Sequence, residues 1–203
     1  MLLTAEHLSI NFGMKQLLTD VNFYLNEGDK VGIIGINGTG KSTLLRIVAG
    51  LEEPDEGKVV LAGNVTVQML VQSPSFAPDD TVLTAVMHSH VTGSQREVTD
   101  IPSMEAKAKS MLMKLGISEF DQPASRLSGG QKKKVALVSV LLHESDILVL
   151  DEPTNHLDAE MSDWLEEQLK KYRGTLVMVT HDRYFLDSVS NRIVEIDRGS
   201  IYS

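Results

Sequence analysis

The sequence predicts an α/β fold with a mostly parallel core sheet and helices on its faces. The short apolar runs VGII (31–34), ILVL (147–150) and TLVMV (175–179) are typical of strands buried on both faces. A helical pattern follows each of them, and apolar strands that alternate with helices indicate a parallel sheet. Strand-like segments crowd the first quarter of the chain, which adds an antiparallel β subdomain to the expected fold.

Composition limits the class of protein. The chain has 203 residues, enough for a single domain over 1–203, and its net charge of −9 argues against a general nucleic-acid clamp. It contains no cysteine, so disulfides and thiolate metal sites are excluded and a reducing compartment fits. No apolar run approaches the length of a membrane span, and MLLTAEHLSI does not have the pattern of a signal peptide. We therefore expect a cytoplasmic protein without a membrane partner.

The first seventy residues predict strands around one helix. TAEHLSI and VNFYL (21–25) alternate as half-buried strands do, and EGD makes a turn before the buried run KVGIIGI. STLLRIVAG predicts a helix that Gly50 ends. VVLAGNVTVQML predicts a hairpin that bends at Gly63 and Asn64.

The middle of the chain predicts a helical subdomain, inserted in the core at about 74–145. Residues 73–102 carry three prolines and many Ser and Thr, so only short helices fit, such as TVLTAVMHSH (81–90). MEAKAKSMLMKLGI predicts a longer helix that stops at Gly116. GGQKKKVALVSVLLH predicts an amphipathic helix, on which Lys132–Lys134 should form a solvated face. Beyond it we expect a helix in AEMSDWLEEQLKKY, another at about 183–189 and a final hairpin in NRIVEIDRGSIYS.

A phosphate-binding loop follows the first buried strand. GINGTGKS (35–42) matches G-x-x-x-x-G-K-[ST] between a strand and a helix, the context that separates this motif from a chance glycine-rich turn. Backbone N–H groups and the helix N-terminus would hold the phosphates, Lys41 would reach the terminal ones, and Ser42 would ligate Mg²⁺. The predicted ATP-binding residues of this loop are Gly35, Asn37, Gly38, Thr39, Gly40, Lys41, Ser42 and Thr43.

Polar residues end the other buried strands. Asp151 and Glu152 close ILVLDE, and two acids make poor core residues, so Asp151 fits a Mg²⁺ ligand and Glu152 the group that polarises the attacking water. Taken alone they could equally be two surface acids. His181 follows TLVMV and could bind the phosphate or the water, although a lone strand-end histidine is more often structural. Gln72 follows MLV, and its amide could complete the Mg²⁺ and water shell.

The ordered motifs resemble the ATP-binding cassette (ABC) nucleotide-binding domain, a P-loop NTPase, over essentially the whole chain. GINGTGKS, Gln72, LSGGQ (127–131), ILVLDE and THD stand in that family's order, and LSGGQ is its own signature. DEPTNHLD and THDRYFLD resemble the ABC-F branch, whose members carry two cassettes in one chain; many act on the ribosome and some protect it from antibiotics. The resemblance implies ATP and Mg²⁺ as ligands and the first cassette of a two-cassette protein. The chain departs from the branch in one respect, because only about fifty residues separate Gln72 from Leu127, so the long helical arm of many relatives is short, absent or removed.

The resemblance also explains why one chain carries two phosphate-binding motifs. In this family two cassettes pair head to tail, so each signature caps the ATP held by the other cassette. The residues expected to act in trans are Ser128, Gly129, Gly130 and Gln131, and those expected along the interface are Asn155, His156, Leu157 and Asp158. Phe12 stands where the family has its adenine-stacking aromatic; the alternative is a half-buried strand aromatic.

Three functional settings remain open at this level. The first is a ribosome-associated ABC-F ATPase, with Glu152, His181 and Lys41 as its catalytic residues. The second is the ATPase subunit of a membrane transporter, which requires a surface groove for a partner's helix. The third is a module that binds ATP without turnover, against which the intact Glu152 and Lys41 argue.

Overall fold

A six-stranded sheet forms the centre of the computed structural model, which describes residues 1–88 and 100–203. Its strand order is β5-β6-β7-β3-β8-β9, and every neighbouring pair is parallel except β8 with β9. The strands are β3 (Lys30–Ile34), β5 (Val67–Leu70), β6 (Ile147–Asp151), β7 (Thr175–Val179), β8 (Arg192–Asp197) and β9 (Ser200–Tyr202). The α/β fold, with its largely parallel core, is therefore confirmed.

A separate antiparallel sheet has the order β2-β1-β4. Its strands are β1 (Leu3–Phe12), β2 (Lys15–Leu25) and β4 (Glu56–Leu61). The first two form a hairpin, in which Phe12 is the register partner of Lys15 across a two-residue loop. Gly13 begins that loop at φ 61°, a conformation that glycine adopts without steric cost.

The hairpin predicted for VVLAGNVTVQML is wrong. Its first half is β4, which pairs with β1, and its second half is β5, which pairs with β6 in the other sheet. The burial of the two strands differs accordingly, because β4 lies largely exposed whereas three of the four residues of β5 are buried. Gly63 and Asn64 therefore join two sheets rather than two partners in one.

Six α-helices lie in the described part of the chain. They are α1 (Lys41–Val48), α2 (Val82–Met87), α3 (Ile101–Lys114), α4 (Gly129–Leu142), α5 (Ala159–Lys171) and α6 (Arg183–Val189). The helices α2, α3 and α4 contribute side chains to one hydrophobic cluster. The helix predicted over 81–90 is present as α2; residues 89–99 lie outside the described residues.

The core sheet separates two hydrophobic clusters. Along β6, Leu148 and Leu150 pack into the cluster shared with α2–α6, whereas Ile147 and Val149 pack into the one shared with α1 and the antiparallel sheet. Successive side chains of a strand point to opposite faces, so a strand covered on both faces must be apolar throughout. This arrangement explains the uninterrupted apolar runs of the sequence.

The solvated face predicted for Lys132–Lys134 is wrong for its central residue. Lys133 is only 4% exposed, whereas its two neighbours are half-buried. Burial lowers the pKa of the Lys133 ammonium, and the carboxylates of Asp151 and Glu152 offset part of that effect. A helix rotates by a fixed angle per residue, so three consecutive lysines cannot share one face.

Candidate nucleotide site

A cavity of about 520 Å³ opens at the carboxyl ends of β3, β6 and β7. Ligands of open α/β sheets bind at this edge. The cavity is lined by Phe12, Lys15, Leu17, Asn37, Gly38, Gly40, Lys41, Ser42, Thr43, Gln72, Asp151, Glu152, Asn155, Val179 and His181. Residues from five separate stretches of the chain thus converge on one space.

The loop between β3 and α1 wraps one side of the cavity. Gly40 caps α1 at φ 99°, and residues 40–43 line the cavity. The N–H groups of the first helical turn have no partner inside a helix. The Lys41 ammonium donates to the carbonyls of Gly35 (2.7 Å) and Ile36 (2.9 Å). Burial lowers the pKa of Lys41, and Glu152 and Asp151 partly compensate. A glycine-rich loop, a helix N-terminus and a held ammonium suit a polyphosphate.

Two of the predicted loop residues shape the loop instead of lining the cavity. A Cβ on Gly35 would lie 2.4 Å from the carbonyl oxygen of Ile196 in β8, so only glycine fits there. The Thr39 hydroxyl donates to the Ile36 carbonyl at 2.8 Å. Gly35 and Thr39 therefore stabilise the shape of the loop, and the other six predicted residues line the cavity.

The strand-end acids and the histidine meet on the opposite side. Asp151 is 3% exposed and Glu152 is 7% exposed, and both reach the cavity. The Nε2 atom of His181 lies 3.3 Å from Glu152 Oε1, and the His181 backbone N–H donates to Glu152 Oε2 at 3.3 Å. Glu152 has φ 50°, which is uncommon for a residue other than glycine. These contacts fix the carboxylate in a defined orientation toward the cavity.

The donor set fits Mg²⁺. A hydroxyl at Ser42, an amide at Gln72 and a buried carboxylate at Asp151 line the same cavity. The described residues contain no cluster of three or more His, Cys, Asp or Glu that would form a complete protein cage. Mg²⁺ is usually held by one or two carboxylates together with substrate phosphates and waters, so this sparse set is the expected one.

Phe12 lies at the rim and is 78% exposed. That exposure excludes the half-buried strand aromatic that the sequence left open. A free aromatic face beside a phosphate loop can stack a nucleobase.

The signature residues lie apart from this cavity. Ser128, Gly129 and Gln131 are exposed and Gly130 is half-buried, and none of the four is among the residues that line it. The Ser128 hydroxyl accepts from the Gln131 N–H at 3.2 Å, and the Gln131 side chain accepts from the Ser128 N–H at 3.0 Å. This capping box leaves the N-terminus of α4 ordered and open to solvent.

The loop over Asn155–Asp158 connects the two motifs within the chain. Asn155 lines the cavity, and a Cβ on Gly130 would be in van der Waals contact with His156, 3.5 Å away. Leu157 packs against the helical cluster, and the Asp158 carboxylate caps α5 by accepting from the Met161 N–H at 2.9 Å. The loop therefore runs from the acid pair to the signature.

Sequence reasoning missed three lining residues. Lys15, Leu17 and Val179 belong to strands, and none of them falls within a recognisable motif. The strand β2 reaches the site through the hairpin register and a hydrogen bond from Lys15 Nζ to the Gly38 carbonyl at 2.8 Å. Leu17 also contacts the loop, because a Cβ on Gly40 would lie 3.2 Å from Leu17 Cβ.

Comparison with known families decides what this site belongs to. Residues 18–155 match the profile of the family described as "ABC transporter". The chain belongs to the ABC transporter family. It is an ABC ATP-binding cassette, and its loop, acid pair and signature are the parts expected of one.

Curated relatives resemble the whole cassette. The uncharacterised ABC transporter ATP-binding protein YfmR of Bacillus subtilis is 40% identical over 100% of this chain and 37% of its own length. The energy-dependent translational throttle protein EttA of Mycobacterium tuberculosis is 39% identical over 94% of this chain, and that of Escherichia coli K12 is 34% identical over 91%. These relatives support the placement in the ABC-F branch. The chain spans well under half the length of each of them.

Solved structures share the fold. An ATP-binding subunit of an ABC transporter superposes with a TM-score of 0.83 at 22% identity, covering 100% of this chain and 89% of the other. The dimeric bacterial cassette MJ0796 superposes with a TM-score of 0.80 at 24% identity, covering 99% and 97%. No helix in the described ranges, 1–88 and 100–203, is long and apolar enough to cross a membrane.

Proposed function

We propose that the cassette binds Mg-ATP in this cavity and hydrolyses it when paired head to tail with another cassette. One observation carries the proposal: the phosphate loop and acid pair share a cavity, whereas the signature of the same chain presents its helix N-terminus elsewhere. A site split in this way is completed by a second cassette. The partner is a second copy or a cassette of a longer protein.

The residues of the chain divide the chemistry between them. Glu152, oriented by His181, accepts the proton of the attacking water, while the Lys41 ammonium and the loop N–H groups stabilise charge on the terminal phosphate. The partner's copy of the signature would present its helix N-terminus to the same phosphate. Mg²⁺, held by Ser42, Gln72 and Asp151, would supply charge neutralisation. ATP would close the pair and hydrolysis would reopen it.

We assign the cassette to a cytoplasmic, ribosome-associated ABC-F ATPase acting in translation. The motifs DEPTNHLD and THDRYFLD and the EttA relatives, named as translational throttle proteins, support this assignment. A role in antibiotic resistance is one form that it could take.

One surface feature favours a second candidate, the ATPase subunit of a transporter. An apolar groove of about 230 Å³ lies between the end of α1, β5 and α4. It is lined by Ala49, Leu51, Val67, Met69, Val71, Ser73, Pro74, Ser75, Phe76, Ala136, Ser139 and Val140. Such a groove can seat a partner's helix. Stable recovery with an integral membrane protein, and absence from sedimented ribosomes, would favour this candidate.

The pairing test uses a Glu152→Gln variant, which should keep binding and stop hydrolysis. Light scattering with and without Mg-ATP should show a nucleotide-dependent dimer, and adding Ser128→Arg should abolish it. The same Glu152→Gln chain should sediment with ribosomes only in the presence of Mg-ATP. A monomer that still binds ATP would show that pairing needs a cassette other than this one. If the wild-type chain hydrolysed ATP at full rate as a monomer, head-to-tail catalysis would be refuted.

A further inference from the structure

The tip of the β1–β2 hairpin carries an aromatic ring and an ammonium side by side. Phe12 and Lys15 are register partners across the two-residue loop. Directly opposed residues of an antiparallel pair project their side chains to the same face, with Cβ atoms about 5 Å apart. Both residues line the nucleotide cavity.

Lys15 also contacts the phosphate loop, although 23 residues separate the partners in sequence. Its Nζ atom donates to the Gly38 carbonyl at 2.8 Å. Lys41 makes similar contacts at the start of the loop, with the carbonyls of Gly35 and Ile36. Two ammonium groups therefore hold the loop, one at its start and one at its middle.

The charge balance of the cavity favours a second cation beside Lys41. Lys15 and Lys41 are the two lysines among the lining residues, and the acidic residues Asp151 and Glu152 line the same cavity. A triphosphate brings more negative charge than one Mg²⁺ neutralises. An ammonium at the nucleoside end would complement the one that serves the terminal phosphates.

We propose that Lys15 is a nucleotide-binding residue that pairs with the phosphate nearest the ribose. The inference rests on the proposed function, in which Phe12 stacks the base and Lys41 serves the terminal phosphates. The phosphate attached to the ribose then lies between those two groups, where Lys15 projects beside Phe12. The hairpin tip thus recognises a nucleoside 5′-phosphate as one unit, with the ring for the base and the ammonium for the phosphate.

Calorimetric titration of the full chain with Mg-ATP and with ADP tests this role. Lys15→Met should weaken the binding of both nucleotides by about tenfold, the scale of one lost charge-assisted hydrogen bond. The ratio of the two affinities should stay unchanged, because both nucleotides carry the phosphate nearest the ribose. A loss confined to ATP would overturn the assignment and place Lys15 at the terminal phosphate.

Two further variants distinguish a charge that binds phosphate from a hydrogen bond that only holds the loop. Lys15→Gln keeps a donor for the Gly38 carbonyl without the charge, and Lys15→Arg keeps the charge. We expect Gln to bind as weakly as Met, and Arg to bind within about threefold of the wild type. If the Gln variant binds like the wild type, Lys15 only holds the loop and the proposal is wrong.

Lys58→Met serves as the matched control. Lys58 is an exposed lysine of the same sheet that pairs with Glu6 at 3.1 Å, and it does not line the cavity. This variant should bind both nucleotides like the wild type. Failure of the wild type to bind ATP would defeat the proposed function and this inference together. Normal binding by both the wild type and Lys15→Met would defeat only the inference.

Discussion

Two residues of this cassette occupy positions that cost folding free energy. Glu152 combines burial, a left-handed backbone and a position at the end of a strand. Lys133 is a buried lysine, and the charges of Asp151 and Glu152 offset only part of the effect of its burial on its pKa. Strained or desolvated residues persist where the surrounding structure holds them, often at functional sites. Substitutions at both positions should therefore change the free energy of unfolding.

The backbone at Glu152 predicts an order of stability for two inactive variants. Asn tolerates a left-handed conformation better than Gln, and each replaces the carboxylate by an amide. We expect Glu152→Asn to unfold at higher urea concentration than Glu152→Gln, by up to about 1 kcal/mol in the free energy of unfolding. Both should lose hydrolysis by about 100-fold or more. The reverse order of stability would mean that φ at this position costs nothing.

The desolvated ammonium of Lys133 predicts a stabilising substitution. Lys133→Met keeps the buried stem and removes the charge, so we expect a gain of about 1 kcal/mol, or about 2–4 °C in Tm. Folding lowers the pKa of Lys133 below 10.5, so the unfolded chain binds the proton more tightly. The wild type should therefore be less stable than Lys133→Met by the full amount below the pKa of the folded state. This difference in the free energy of unfolding should shrink as the pH rises toward 10.5. Thermal unfolding at several pH values measures it, and half-buried Lys132→Met should change little.

At the scale of elements, one buried side chain ties the parallel sheet to the signature helix. Gln68 in β5 is 1% exposed. With its amide in the orientation that satisfies both partners, it donates to the carbonyls of Val140 (3.1 Å) and His143 (2.6 Å) at the end of α4. The last carbonyls of a helix have no partner within it, so Gln68 completes this terminus.

Gln68→Leu should remove both of these hydrogen bonds from a buried position. We expect a loss of about 2 kcal/mol in the free energy of unfolding, measured by urea titration. Gln168→Leu makes the same change at a half-buried position of α5 and should stay within about 0.5 kcal/mol of the wild type. Equal effects of the two substitutions would contradict the role of Gln68.

Sequence patterns predicted elements well where the deciding contacts are local or the burial is two-sided. The strands β3, β6 and β7, the helix α6 and the final hairpin all follow their patterns. The prediction of a hairpin over 59–70 was wrong because β4 pairs with β1 and β5 pairs with β6, both of which are distant in sequence. At the site, motifs identified the loop, the acids and the signature, whereas Lys15 reaches the loop only through hairpin geometry, which no motif records.

At the scale of the whole molecule, the cavity and the signature predict separable effects on stability. In a Glu152→Gln background, Mg-ATP at about 100 times its Kd should add about 2.7 kcal/mol to the free energy of unfolding. At protein concentrations too low for pairing, adding Ser128→Arg should leave that gain intact, because the signature of a chain does not line its own cavity. Loss of the gain in this variant would mean that Ser128 acts on the nucleotide of its own chain.

The exposed ring of Phe12 has a consequence for the choice between ATP and GTP. A stacked ring contacts the face of a purine, which adenine and guanine share, and the edge that distinguishes them would point away from it. The lining residues nearest Phe12 in sequence are Lys15 and Leu17, a cation for phosphate and an aliphatic side chain. The cassette should therefore accept GTP nearly as readily as ATP, and the relative abundance of the two nucleotides would decide which one drives it.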